Sequence, residues 1–427
     1  MIDILSKLLL GASNNCAQLL SSPGRTDVDK SHLAGTWLDV GVPSFKNLSH
    51  IGTARKVLRM TLFAFTCLVY ALQQPSFELL ATIGDAISSF LKFPDSTTKC
   101  QGLLSSTEVR KEAATRDSSH DGVWRFTVMR WAMAAGAQRW RIRLSLCLLP
   151  WFTAVATILA VTDLKSTVFE MWSGSVGSFD VADTFFRSSS LLGKVLIANT
   201  PQIVVSRAYI FYNNIFTCML LSRETSAFAG KRKYLRCTAP IGRQNATCSL
   251  QLPFRYSVPM MASMSILYWL TARSMFLIEI SVYNIHGDID QPRNISACSY
   301  AFQAIILALA LGGIIIVALG VFATRKLTPD IPPIGSCSIA ISAACHANPQ
   351  EKKLGVLPLM YGVIPGSGRD RQGKELVGFS SRGVEPLVSG RAYYYRRTGL
   401  DWIGLGLFYQ AMHRLNARMS RLNATIR

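Results

Sequence analysis

Residues Tyr300–Thr324 read YAFQAIILALALGGIIIVALGVFAT, without one charged side chain. A helix needs about 20 mostly apolar residues to cross the hydrocarbon core of a bilayer. This stretch meets that requirement, so it reads as a transmembrane helix. Working back along the chain, three more windows qualify. Leu144–Val161, LSLCLLPWFTAVATILAV, is also uncharged. Residues 195–221 lie within the longer run Leu191–Leu221, which carries Lys194 and Arg207. Residues 256–278 carry Arg273 near the far end. The expected fold is therefore all-α: a polytopic helical membrane protein with four transmembrane helices over 144–324.

A fifth window, within residues 57–74, is too short. Arg59 cuts its uncharged part to Met60–Leu72, which is 13 residues. A run of that length is interfacial, re-entrant or buried more often than spanning. It stays open here between a re-entrant segment and a single span.

Bulk composition agrees with a membrane bundle. Of 427 residues, 49% are apolar and 16% charged, against about a quarter charged in a soluble domain. The net charge is +20. In a soluble protein that excess would suggest nucleic acid. Here long apolar runs separate the basic stretches, so the expected partners are the bilayer and its anionic headgroups, not nucleic acid.

Lys and Arg in the short loops set the expected orientation. Loop 222–255 holds Arg223, Lys231, Arg232, Lys233, Arg236, Arg243 and Arg255 against Glu224 alone, and reads as cytoplasmic. The tail 325–427 is basic, rich in Gly, Pro and Ser, and reads as an irregular cytoplasmic segment. The loop after the first span is acidic (Asp163, Glu170, Asp180, Asp183), as is the one near 279–299 (Glu279, Asp288, Asp290). Both face outward on this reading. Residues 1–56 form an N-terminal segment of short helices and turns. Residues 75–143 form a cytoplasmic linker with an amphipathic helix at Leu79–Leu91. The linker ends in a basic Trp/Arg helix, Trp124–Arg143, at headgroup level or packed on other cytoplasmic elements. A second surface helix is expected at Trp402–Leu415. Residues 1–20 do not make a cleavable signal peptide, because Asp3 stands where a basic region belongs.

On the second span Asn199, Gln202, Ser206, Tyr209 and Asn213 recur at helical spacing, a polar face about 21 Å long. Polar groups in lipid are costly, so this face should turn to the bundle interior. It would serve either a substrate or ion path or interhelical hydrogen bonds. Pro201, inside it, should kink the helix. Ala304, Ala308 and Gly312 make a small-residue face on the fourth span, suited to close contact with a helix of the same chain or of an oligomer.

The ten cysteines show no disulfide framework. Cys337, Cys345 and His346 match no tight zinc spacing and lack a fourth ligand, so no metal is expected. Asn294-Ile295-Ser296 is a glycosylation sequon in an outward loop. No Walker loop, dinucleotide Gly fingerprint, HExxH or nucleophile elbow is present. Neither catalysis nor a cofactor is expected.

Several blocks carry a resemblance. They are LLLGASNNCAQLLSSPGRTDVDKSHLAGTWLDVGVPSFKNL (Leu8–Leu48), ATIGDAISSFLKFPDSTT (Ala81–Thr98) and LIANTPQIVVSRAYIFYNNIFTCMLLSRE (Leu196–Glu224), then LQLPFRYSVPM (Leu250–Met260) and GSCSIAISAACHANP (Gly335–Pro349). Together they resemble a family of uncharacterised fungal multi-pass membrane proteins with an N-terminal domain of unknown function. The resemblance implies a plasma-membrane bundle and no particular activity. It also implies a chain that begins inside the N-terminal domain and is internally shortened. Two functions follow as expectations. The first is a non-catalytic scaffold, receptor-like or structural membrane protein. The second is a transporter or channel using the polar face of the second span.

Overall fold

The last and most apolar window folds as expected, as a helix over Phe302–Ala323. Its exterior is apolar too: Ile314 and Val317 are 64% and 65% exposed. In this computed structural model the described residues are 18–19, 21–44, 46–49, 79–99, 101–115, 122–161, 180–181, 191–247, 250–280, 295–327, 331–346, 354–365 and 374–394. The expected segment 57–74, the sequon at Asn294 and the surface helix at Trp402–Leu415 fall outside them. The chain divides into two units. A helical unit comprises Met1–Leu8, Gln138–Ile215 and Arg255–Phe322, and a mixed unit comprises Leu9–Ala137, Phe216–Phe254 and Ala323–Arg427.

Elements are numbered along the described residues. The helices are α1 (Arg25–Leu33), α2 (Ile83–Lys92), α3 (Ser106–Thr115), α4 (Trp131–Ala135), α5 (Ala137–Val161), α6 (Leu191–Ser226), α7 (Phe254–Ser274), α8 (Phe302–Ala323) and α9 (Ser338–Ala344). The strands are β1 (Asp180–Val181), β2 (Arg236–Cys237), β3 (Asn245–Ala246), β4 (Met275–Ile280), β5 (Ile295–Tyr300), β6 (Met360–Val363) and β7 (Val377–Ser380).

The polytopic all-α expectation is corrected in two ways. Among the described residues, two helices are long and apolar enough to cross a membrane, Leu191–Ser226 and Phe302–Ala323. The expected four are not found. Window 144–161 lies in α5, whose side chains are described only through Ala156. Window 256–278 breaks at Ser274, where helix gives way to strand. The second correction is the presence of sheet. In the helical unit β4 pairs antiparallel with β5, from Met275↔Tyr300 to Ile280↔Ile295, and β1 pairs antiparallel with the end of β5, Asp180↔Tyr300 and Val181↔Ser299. Hydropathy alone cannot separate a short apolar strand from the end of an apolar helix. By hydropathy Phe276-Leu277-Ile278 belongs to a span, yet it forms one edge of a three-stranded sheet. Hydrocarbon does not tolerate an open sheet edge, whose N–H and C=O groups would lack partners.

The run read as the second span also divides. α6 has 36 residues, about 54 Å at the helical rise, against a hydrocarbon core of about 30 Å. Its residues from Tyr212 to Ser222 are all buried, and from Phe216 onward they belong to the mixed unit. Ile215, Met219 and Leu221 owe their apolar character to a packed core.

The mixed unit gathers pieces far apart in sequence. Thr82 caps α2, its hydroxyl accepting from Asp85 N at 3.1 Å, while the Asp85 carboxylate accepts from Thr82 N at 2.9 Å. Ile83, Ala86, Ile87 and Phe90, at helical spacing, are buried. Gly84 lets α2 lie on β2, since a Cβ there would come 2.1 Å from the Arg236 carbonyl oxygen. Isolated bridges join Gly24 to Leu79, Asp39 to Cys337 and Lys233 to Leu359.

The described parts of the tail, up to residue 394, are not all irregular. α9 is buried along its whole length. β6 and β7 form an antiparallel pair, and Tyr361 OH donates to Gly102 O at 2.7 Å. Gly, Pro and Ser content suggests loop, but Ser338, Ser342 and Tyr361 bond segments more than two hundred positions earlier. The basic Trp/Arg stretch likewise supplies buried Trp131 to the mixed unit, with the Arg223 and Arg325 guanidinium groups 5.4 and 5.7 Å from its ring.

Candidate functional site

Within the helical unit, α5, α6, α7 and α8 surround a cavity of about 480 Å³. That volume falls in the range of small-molecule sites, about 300–1,000 Å³. From α6 the lining takes Pro201, Val204, Val205, Ala208, Tyr209 and Tyr212; Trp151 enters from α5, and Ala308 and Gly312 from α8. The lining contains no charged side chain.

Its hydroxyls are largely satisfied. Thr153, Thr200, Thr271 and Ser274 donate to the carbonyl oxygens of Pro150, Leu196, Leu267 and Thr271, at 2.9, 2.8, 2.7 and 2.6 Å. Trp151 Nε1 donates to Leu309 O at 2.9 Å, which fixes the indole across the small-residue face of α8. A Cβ at Gly312 would meet that ring at 3.5 Å, and one at Gly313 at 3.2 Å. Of the expected packing residues, Ala304 is buried, while Ala308 and Gly312 face the cavity and the indole. What the small residues accommodate here is an aromatic side chain.

The expected polar face is mostly elsewhere. Asn199 is exposed, and its Nδ2 donates to Val195 O at 2.8 Å. Ser206 donates to Gln202 O at 2.7 Å, and the same carbonyl accepts from Tyr268 OH at 3.1 Å. The Gln202 side chain is half-buried and is not on the lining. Asn213 is buried, with an Oδ1 that meets no partner among the described residues. Next to it, Asn214 Oδ1 accepts from the Arg143 guanidinium. Only Tyr209 of the five reaches the cavity. A short polar side chain in a helix can bond the carbonyl four residues back, so helical spacing of polar residues does not require a shared path. Arg207 lies exposed on the same helix.

The mixed unit holds a cluster that sequence reading missed. His32 Nδ1 lies 2.5 Å from Asp95 Oδ2, and His32 Nε2 lies 2.8 Å from Ser338 Oγ. These are the residue types and order of contacts of a hydrolytic triad. The chemistry does not follow. Ser338 is fully buried, and its Oγ also accepts from Leu38 N at 3.0 Å. The trio joins α1, the segment after α2 and α9. Nearby, Thr98 Oγ1 is 2.8 Å from Ser342 Oγ and 2.9 Å from His346 Nε2. Burial pushes the Asp95 carboxyl up, but the hydrogen bond and charge of His32 and the bonds from Thr97 outweigh it and hold the group down to about 2. Burial lowers the His346 pKa. No signal in the sequence links positions 32, 95 and 338.

A second cluster ties α6 to β2. Arg236 donates to both Glu224 oxygens, at 3.2 and 2.8 Å, and Gln251 Nε2 donates to Glu224 at 2.7 Å. Gln251 Oε1 in turn accepts from Ile83 N at 3.1 Å.

Among the described residues no group of His, Cys, Asp and Glu could hold a metal ion. Cys337 and Cys345 are buried free thiols, and burial pushes Cys337 up to about 11. Asn47, in another sequon, is fully buried and takes part in three hydrogen bonds to the backbone of Asp39 and Ser21.

Two family models match the chain. A domain of unknown function, DUF8419, matches residues 124–394, more than half of the sequence. A family of unknown function, DUF6536, matches residues 1–74. No curated protein and no solved structure matches it.

Proposed function

The chain belongs to the DUF8419 family, and we propose that it is a non-catalytic membrane protein, receptor-like or scaffolding, held in the plasma membrane by its helical unit. One observation carries this reading. The basic stretches of the sequence around 75–137, 222–254 and 325–394 are separated by the apolar helices of the helical unit, yet they fall together in the mixed unit. A same-sign grouping of this kind is what a shared cytoplasmic location produces. The exposed Ile314, Val317 and Val321 on α8 supply a surface that lipid, not water, would cover. Loop 222–255 and the tail are cytoplasmic in this proposal.

The non-catalytic part draws support from the closed state of the Ser338–His32–Asp95 trio, which offers no hydroxyl to a substrate. Transport along the polar face of α6 is the weaker reading. Asn199 and Ser206 are committed to their own helix.

The test is membrane extraction followed by labelling of single cysteines. The protein should resist alkaline carbonate and dissolve in detergent. A cysteine at exposed Ile241 or Val388 should react with an impermeant maleimide only after the cells are opened, and one at Asp288 should react from outside. Release by carbonate, or labelling of Ile241→Cys from outside, overturns the proposal. Replacing Gln202 and Asn213 by Leu should leave solute flux unchanged, and a flux defect with normal trafficking would favour transport.

A further inference from the structure

The cavity of the helical unit is almost wholly apolar, with one exception. Tyr209 is 5% exposed and lines it. Thr153, Thr200, Thr271 and Ser274 on the lining each donate to a backbone carbonyl, and Tyr212 has an interaction of its own. The Tyr209 hydroxyl has none among the described residues. A buried phenol normally finds a partner, and leaving one without costs the molecule. A ligand oxygen is the partner the geometry lacks.

We propose that this cavity binds a neutral membrane sterol, with its single hydroxyl at Tyr209 and its ring body against Trp151, Ala308 and Gly312. The proposal rests on the placement of the helical unit in the bilayer. Three features select this chemistry. The absence of charge on the lining disfavours a carboxylate or a phosphate, which would enter unpaired. One free hydroxyl suits one polar group, and a polyol would leave its own donors unsatisfied. The walls are stiff. The Trp151 indole is fixed by its bond to Leu309, and the Ile and Val side chains of α6 and α8 have few rotamers. A rigid ligand in a rigid site loses less conformational freedom than a flexible chain does.

The experiment uses the full chain purified in detergent micelles and a photoactivatable cholesterol analogue. Labelling should saturate, compete with unlabelled cholesterol, and map to peptides of α5, α6 and α8. Tyr209→Phe should weaken competition about fivefold, the value of one hydrogen bond. Ala308→Phe should reduce competable labelling more than tenfold. Val205→Phe fills the cavity from α6 and serves the same purpose if Ala308→Phe does not fold, as judged by its thermal midpoint. Equal labelling of wild type and a folded filled variant overturns the proposal, because the sterol then lies on the outer surface. Equal competition by hexadecanol or hexadecanoate overturns the assignment to a sterol. Since the assay runs in micelles, its failure leaves carbonate resistance untouched, and the membrane reading falls only by the extraction test.

Discussion

His32 and Asp95 lie 63 positions apart and meet at 2.5 Å, with the imidazole side chain fully buried and the carboxylate 9% exposed. A pair this enclosed is held by its partners, since either group left alone would face a large desolvation cost. Asp95→Asn should therefore lower the stability of the protein by about 2 kcal/mol, read by denaturant unfolding in detergent. Ser338→Ala should cost about 1 kcal/mol. A change within 0.5 kcal/mol for both, on the order of an ordinary surface substitution, would mean that the trio does not hold the fold.

The same pair sets an acid limit. The Asp95 carboxyl is held down to about 2 from an ordinary 3.8. A group lowered on folding stabilises the fold fully above its unfolded pKa, and this contribution is lost as pH falls through the folded value. Unfolding should become easier between about pH 4 and pH 2. In Asp95→Asn this limb should shrink. An unchanged acid limb would assign the transition to other carboxylates.

At Gly84 helix α2 lies so close to β2 that an added Cβ would come 2.1 Å from Arg236 O. Alanine is the better helix former, so propensity alone predicts stabilisation. Overpacking against backbone should win. Gly84→Ala should cost about 2–3 kcal/mol, visible as a lower thermal midpoint and as faster hydrogen exchange in α2.

Arg236 and Glu224 pair in a bidentate contact, both side chains mostly buried. Arg236→Met strips Glu224 of its cation and should destabilise by about 3 kcal/mol. Arg236→Met with Glu224→Met should recover part of that loss, because two apolar groups can replace a buried pair at little cost. A double variant no better than the single would show that the pair is not coupled.

Trp151→Phe removes the donor to Leu309 O while keeping an aromatic ring over α8. A loss of about 1 kcal/mol is expected, measured as thermal stability in detergent. Trp151→Ala should cost more, about 3 kcal/mol, as the cavity enlarges.

Different parts of this molecule were unequally visible in the sequence. α8 was legible because twenty-odd apolar residues without charge have few uses. β4 was not, because Phe276-Leu277-Ile278 continues the hydropathy of α7 without a break. The end of α6 misled in the opposite direction: Met219 and Leu221 look like lipid-facing residues and are instead a packed core. The tail misled by composition, since Ser338 and Ser342 belong to a Gly/Pro/Ser-rich segment yet lie in the buried helix α9. In the candidate site, Tyr209 was legible through its spacing. The apolar face beside it, Val204, Val205 and Ala208, carries no signal that distinguishes a cavity wall from a lipid contact. His32, Asp95 and Ser338 could not be grouped, because only the fold brings them together.

The bridge between Asp39 and Cys337 has a consequence for synthesis. The strand-like segment at Asp39 waits for a partner that emerges nearly three hundred residues later. Until then Leu38 and Val40 have no Ser338 and Ser336 to bond. Contact order is therefore high, and such pairings form late and slowly. A ribosome that stops before α9 releases an N-terminal piece with exposed apolar residues, a substrate for chaperones and proteases. Loss of the tail should thus remove the amino-terminal segment's structure as well, although no residue of that segment has changed.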